Sequence, residues 1–201
     1  MTTLWLADKP LLLASGSRTR HALLTAAGIP VEVMRPQIDE RVIESGLTVA
    51  ELVAAELAEA KARDVSWREQ DRLVLGADQT LTCDGRAFHK PADLTAAADQ
   101  LVALSGRRHA LTSAYCIARR GEVLARGEQI AHLQMRQLSS AFIESYLRSV
   151  GPNVLASVGG YQLEGIGVQL FERVDGDHFT ILGLPLLRVL ATLRDLGCLP
   201  R

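Results

Sequence analysis

The sequence is poor in aromatic residues, with Phe, Trp and Tyr making up 4% of its 201 positions. Proteins that bind single-stranded nucleic acid stack bases on aromatic platforms, and so few rings argue against one. Positive charge is not in excess either. Lys and Arg number 22 against 23 Asp and Glu, a formal net charge of −1, so nucleic acid is not expected as a partner. Cysteine is scarce and scattered, at Cys83, Cys116 and Cys198. No C-x-x-C pair occurs and the count is odd, so neither a zinc site nor a disulfide framework is expected, and a reducing compartment fits. The apolar runs fall far short of the roughly 20 residues that cross a bilayer. Met1–Pro10 carries Asp8 and Lys9 and lacks a long apolar stretch. Neither a signal peptide nor a membrane segment is expected, and a cytoplasmic location fits. The five histidines show no metal-ligand spacing. A nucleophile elbow, a Walker A loop and a dinucleotide fingerprint are all missing.

What is present is an alternation of short apolar runs and amphipathic segments, with no linker, repeat or low-complexity tract. The pattern predicts one α/β domain over residues 1–201, a mixed twisted sheet with flanking helices. Leu11–Ala14 reads as a buried strand that turns at Ser15-Gly16-Ser17 into a helix capped by Ser17, running to about Ala27 and closed by Gly28. Val31–Met34 is a second strand. A helix follows with Thr48 as its cap and Val49, Leu52, Val53 and Leu57 on its apolar face. Leu73–Gly76 is a strand, and Gln79–Cys83 leads into a hairpin turn at Asp84-Gly85. Asp93 caps a helix with Leu94, Ala97, Leu101 and Leu104 inward and Gly106 at its end. His109–Ile117 and Val123–Leu133 form strands around Arg120-Gly121. Ser139 caps a further helix, Val168–Val174 is a strand, and Pro185 opens a final helix with Leu186, Val189, Leu190 and Leu193 inward.

Four groups of residues have chemistry to offer. The Ser15–Arg20 turn aims backbone N–H groups and a helix dipole at one spot, with two hydroxyls and Arg20 as further donors to a phosphate. Asp39, Glu40 and Asp78 each follow an apolar strand, where open α/β sheets place ligands, and converging carboxylates suit Mg²⁺ or Mn²⁺. Lys61 continues the row Val53, Leu57 along one helix face, so it is expected near the packed side with a carboxylate or an anionic ligand. Lys90 precedes Pro91 in an irregular segment. Gly159, Gly160, Gly165 and Gly167 leave room for a flat ligand, with Glu164 as an acceptor for base N–H groups. Taken singly, each of these has an ordinary structural explanation: a capped helix, a turn, a solvated lysine, a bulged loop.

Their order along the chain is more telling. LLLASGSRTRHALL, Ile38–Glu40, Glu59–Ala62, Leu75–Thr80, His89–Asp93, Leu104–His109, Tyr161–Asp177 and Leu182–Leu186 follow one another as in the Maf family of nucleotide pyrophosphatases, which the chain resembles from about Leu11 to Leu193. The resemblance implies two lobes around a cleft, similar to inosine triphosphate pyrophosphatases, a divalent metal (Mg²⁺ or Mn²⁺) and a nucleoside triphosphate substrate. A homodimer is reasonable for the family. Asp78 matches the family's proposed general base, with a metal-ligand role left open. Ser15, Arg20, Glu40, Lys61 and Lys90 match phosphate- and metal-handling positions, Glu40 among the metal ligands. Arg18 stands where the family usually has proline, which preorganises a helix start without being required for it.

Substrate choice in the family follows a trio that here reads Thr19, Gln79 and Glu164. Gln79 and Glu164 agree with a branch acting on 7-methyl-GTP. A second branch, acting on dTTP and UTP, has other residues at these positions, and Thr19 agrees with neither branch. The alternatives are therefore a 7-methyl-GTP enzyme, a dTTP/UTP enzyme of the same family, or a nucleotide-binding regulator of cell division without catalysis.

Overall fold

Residues 4–45 and 50–201 are described in a computed structural model. The first strand and helix form where the apolar run and the serine cap place them. β1 is Leu11–Ala14, and α1 is Arg18–Ala26 with the Ser17 hydroxyl accepting from the Arg20 N–H. β2 is Val31–Val33, and a short helix absent from the sequence reading, α2, spans Glu40–Ser45. α3 covers Ala50–Arg68; the expected Thr48 cap and Val49 lie outside the described residues. The buried residues of α3 are Ala54, Leu57, Ala58, Lys61, Ala62, Val65 and Ser66, whereas Leu52, expected inward, is 50% exposed.

β3 runs unbroken over Val74–Cys83, which corrects the expectation of a strand ending at Gly76. Asp78 therefore sits inside a strand and not just past one. The ladder continues through Asp78 and Gln79 because neighbouring elements supply side-chain partners, Lys61 for Asp78 and Ser113 for Gln79. β4, Arg86–Phe88, pairs back on β3 in antiparallel register. The turn between them has φ of 51° at Asp84 and 76° at Gly85, as a two-residue type I′ hairpin requires. α4 is Leu94–Leu104 with Asp93 as cap, β5 is Arg108–Arg119 and β6 is Glu122–Met135. α5 is Ser140–Val150, capped by Ser139. Three 3-10 turns follow, and β7 starts at Phe171 and ends at Asp175. Val168 belongs to the last of those turns, so the expected strand from Val168 is shortened at its start. α6, His178–Ile181, was not foreseen, and α7 is Leu186–Asp195 with Pro185 in the cap position.

The sheet has seven strands in the order β2-β1-β3-β5-β6-β7, with β4 on β3. β1 is parallel to both β2 and β3, and β6 is antiparallel to β7. The fold is mixed α/β, as the pattern of elements predicts. Contacts divide it into two units. The first takes the described residues of Met1–Gln79, with Ser113–Gln129 and Gly183–Arg201; the second is Thr80–Thr112 with Ile130–Leu182.

In the first unit α3 lies on the sheet through alanines. Ala54, Ala58 and Ala62 pack with Ala114, Cys116 and Ala118 of β5. Gly76 is what permits this close approach: a Cβ there would strike the Ala58 carbonyl and come within 2.6 Å of the Ala62 nitrogen. In the second unit Ala97, Leu101 and Leu104 of α4 pack with Leu133, Met135, Ile143 and Tyr146, while Leu94 is exposed. Beside them His109 is 2% exposed and its Nε2 lies 2.7 Å from the Tyr161 hydroxyl, with Phe171 against both rings. No helix among the described residues is long and apolar enough to cross a membrane.

Candidate active site

The carboxyl ends of the parallel strands β2, β1 and β3 bring the sequence-derived candidates of the first unit together. Ala14 pairs with Gly76, so Ser15 emerges level with Ala77 and next to Asp78. Arg20 ties this region together from α1. Its Nε donates to the Gly183 carbonyl at 2.7 Å, and its Nη1 donates to the Ala77 carbonyl at 2.8 Å and to Ser15 Oγ at 3.2 Å. The Ser15 hydroxyl also accepts from the Ser17 N–H at 3.2 Å. Arg20 is 9% exposed. Burial lowers its pKa, and the nearby Asp78 and Glu40 carboxylates oppose that shift. Guanidinium still stays charged at any ordinary pH. Three of its five N–H groups are already committed to the protein.

Lys61 reaches from α3 into the same region. Its ammonium lies 2.6 Å from Asp78 Oδ1 and 2.9 Å from Glu40 Oε1. The Lys61 side chain is 8% exposed, that of Asp78 13% and that of Glu40 47%. The expectation that Lys61 lies on the packed face beside a carboxylate holds, and the partners are two acids chosen independently from the sequence. Asp78 Oδ2 has no hydrogen-bond partner among the described residues. Asp39 caps locally instead, accepting from the Arg41 N–H at 3.0 Å.

The next residue on β3, Gln79, points to the opposite face of the strand, where its Nε2 donates to Ser113 Oγ of β5 at 3.0 Å. Thr19 is half-buried on α1 beside Arg20. Lys90 and Glu164 belong to the second unit, and both are exposed there. Ser113 and the Ala77 and Gly183 carbonyls are not among the candidates evident from sequence. A signal for Ser113 existed: Thr112-Ser113 is a buried polar pair inside an apolar strand. Gly183 has φ of 95°, and its carbonyl faces Arg20 from within the quoted Leu182–Leu186 block.

A divalent cation fits the donor set in one form. Glu40 and Asp78 are oxygen donors that converge on a single cationic group, the Lys61 ammonium. No group of three or more His, Cys, Asp or Glu side chains able to hold a metal occurs among the described residues. Two carboxylates completed by water and substrate phosphate is the arrangement Mg²⁺ commonly takes, as opposed to an all-protein cage.

The fold and site define a mixed α/β protein with a buried cation held between two carboxylates at the end of parallel strands. The family profile described as Maf-like protein matches residues 10–196, and the chain belongs to that family. It is 52% identical over 194 residues to a protein named Nucleoside triphosphate pyrophosphatase from Nitrobacter winogradskyi, covering 96% of each chain. A protein named 7-methyl-GTP pyrophosphatase from Rhizobium meliloti is 51% identical over 197 residues, covering 95% of this chain and 98% of the relative. Among solved structures, the chain is similar to a Nucleoside-triphosphatase / dITP/XTP pyrophosphatase from Mycobacterium abscessus, with 18% identity, a TM-score of 0.45, and coverage of 92% of this chain and 97% of that one.

Proposed function

We propose that this protein hydrolyses a nucleoside triphosphate to the monophosphate and pyrophosphate. The observation that carries the reading is the Glu40–Lys61–Asp78 centre, set beside the Ser15–Arg20 turn. Such a centre combines a water-activating carboxylate with cationic charge for a phosphate chain. The names of the relatives at about half identity support the same reaction.

In this mechanism the Ser15–Ser17 turn and Lys61 hold the phosphates. The Lys61 ammonium fixes Asp78 Oδ1, leaving Oδ2 to receive a proton from the attacking water. Water oxygen bonds to the α-phosphorus, the bond from that phosphorus to the bridging oxygen breaks, and pyrophosphate leaves. A Mg²⁺ or Mn²⁺ held by Glu40 and Asp78 supplies charge neutralisation on the phosphate oxygens when bound. Positioning and electrostatics carry most of the acceleration. The setting for this reaction is the cytoplasm.

The base favoured is 7-methylguanine. Gln79 and Glu164 match that branch, and the Glu164 carboxylate suits the N1–H and N2–H₂ donors of a guanine edge. A pyrimidine substrate, dTTP or UTP, is the second reading: Thr19 matches neither branch and offers no ring to stack on a cationic base. A hydrolysis screen on purified protein with Mg²⁺ or Mn²⁺ tests both, using 7-methyl-GTP, GTP, UTP, dTTP and CTP and measuring pyrophosphate and orthophosphate separately. Preferred release of pyrophosphate from 7-methyl-GTP is expected. Preference for UTP or dTTP moves the base assignment to the second reading, and binding without any release leaves a nucleotide sensor.

A further inference from the structure

Arg20 is expected to bind phosphate, yet three of its five N–H donors serve the protein itself, on Ser15, Ala77 and Gly183. A second arginine stands at the same place with its donors uncommitted. β2 runs parallel to β1, with Leu13 paired to Val33 and the Met34 N–H donating to the Leu13 carbonyl at 3.1 Å. Arg35 therefore follows at the level of Ser15 and Gly16. Its guanidinium lies over Gly16: a Cβ on that glycine would be 3.5 Å from Arg35 Nε and 4.0 Å from Cζ. The backbone here is pinned from α3, where Arg68 donates to the Arg35 carbonyl at 3.2 Å and Asp64 accepts from the Gln37 N–H at 2.8 Å. The Arg35 side chain itself is exposed and makes no ion pair or hydrogen bond among the described residues.

The order across the sheet is then Arg35 after β2, the Ser15–Ser17 hydroxyls after β1, and Asp78 on β3. We infer that Arg35 is a substrate-binding residue whose guanidinium takes the phosphate chain, beside Arg20, whose contacts to Ser15, Ala77 and Gly183 also hold Ser15 and the Ala77–Asp78 backbone in place. The inference rests on the pyrophosphatase reading for the reaction but not for the binding of phosphate. Arginine suits the task because its planar fork grips phosphate oxygens two at a time, which an ammonium does not.

The test compares wild type, Arg35→Ala and Arg35→Lys. Calorimetry reads binding of inorganic pyrophosphate with Mg²⁺, steady-state kinetics read KM and kcat with the best triphosphate of the screen, and thermal unfolding reads stability. Loss of charge-assisted hydrogen bonds to phosphate should weaken pyrophosphate binding and raise KM about tenfold or more in Arg35→Ala. Arg35→Lys should recover part of the loss, and the melting temperature of both should stay at the wild-type value. Unchanged binding and KM in Arg35→Ala, or a loss that follows a drop in melting temperature, overturns the inference. Wild type that binds no pyrophosphate does the same. Wild type that binds pyrophosphate through Arg35 but hydrolyses nothing leaves the inference standing and removes the reaction.

Discussion

Replacing Lys61 by Met keeps much of the stem volume and removes the ammonium from between Asp78 and Glu40. The two carboxylates will respond unequally. The Asp78 side chain is 13% exposed and sits 2.6 Å from the lost nitrogen, whereas that of Glu40 is 47% exposed at 2.9 Å. Stranding a mostly buried carboxylate costs about 3 kcal/mol or more, while water screens Glu40 so that its share stays below about 1 kcal/mol. For a chain of this size about 3 kcal/mol corresponds to a fall in melting temperature of about 6–12 °C. Adding Asp78→Asn to Lys61→Met removes the stranded charge, so the double variant should be more stable than Lys61→Met alone. The assay is urea and thermal unfolding of the four proteins of this cycle, with Glu40→Gln alongside. A coupling of about 2–3 kcal/mol between Lys61 and Asp78 is expected. Additivity within about 0.5 kcal/mol, or a cost for Glu40→Gln equal to that for Asp78→Asn, would refute the reasoning.

Other perturbations read other parts of the structure. His109 is buried against Tyr161 and Phe171, and burial lowers its pKa from 6.5 to about 4. A base whose folded pKa is depressed binds fewer protons folded than unfolded. Its contribution is fully present above about pH 6.5 and is lost as the pH falls towards 4, by at most about 3 kcal/mol. Denaturation at stepped pH should show that slope, and His109→Gln should flatten it. Arg20→Ala strips three hydrogen bonds from buried acceptors and should lower stability by about 2–4 kcal/mol; a melting temperature like that of wild type would remove its structural role. Gly76→Ala drives a methyl group into the backbone of α3 and should cost about 1–3 kcal/mol in urea unfolding, so a neutral result would contradict the close packing of α3 on β3.

The local chemistry of caps and turns was legible in the sequence. Ser17, Asp93 and Ser139 each accept a hydrogen bond from a first-turn N–H of the helix that follows. The turns at Asp84-Gly85 and Arg120-Gly121 have positive φ throughout. Features set by distant partners were not legible. Asp78 reads as lying just past a strand because a polar residue inside a strand needs a partner, and its partner Lys61 comes from another element. The buried face of α3 was misread because alanines carry it, and they do so only where Gly76 lets the helix come close. Val168 fits a strand pattern, but the glycines before it admit a 3-10 turn. In the candidate site, Ser15, Arg20, Glu40, Lys61 and Asp78 were chosen one by one and meet in the first unit. Lys90 and Glu164, exposed in the second unit, show no partner among the described residues that would single them out.

Asp78 and the α-phosphorus stand at the centre of the proposed reaction, and isotope labelling reaches both. Wild type and Asp78→Asn would be given the preferred triphosphate in ¹⁸O-water with Mg²⁺, and the products separated by mass spectrometry. Attack on the α-phosphorus requires the label in the nucleoside monophosphate, unlabelled pyrophosphate, and a collapse of turnover in Asp78→Asn with nucleotide binding largely kept. Label in pyrophosphate, release of orthophosphate, or full turnover in Asp78→Asn would contradict it.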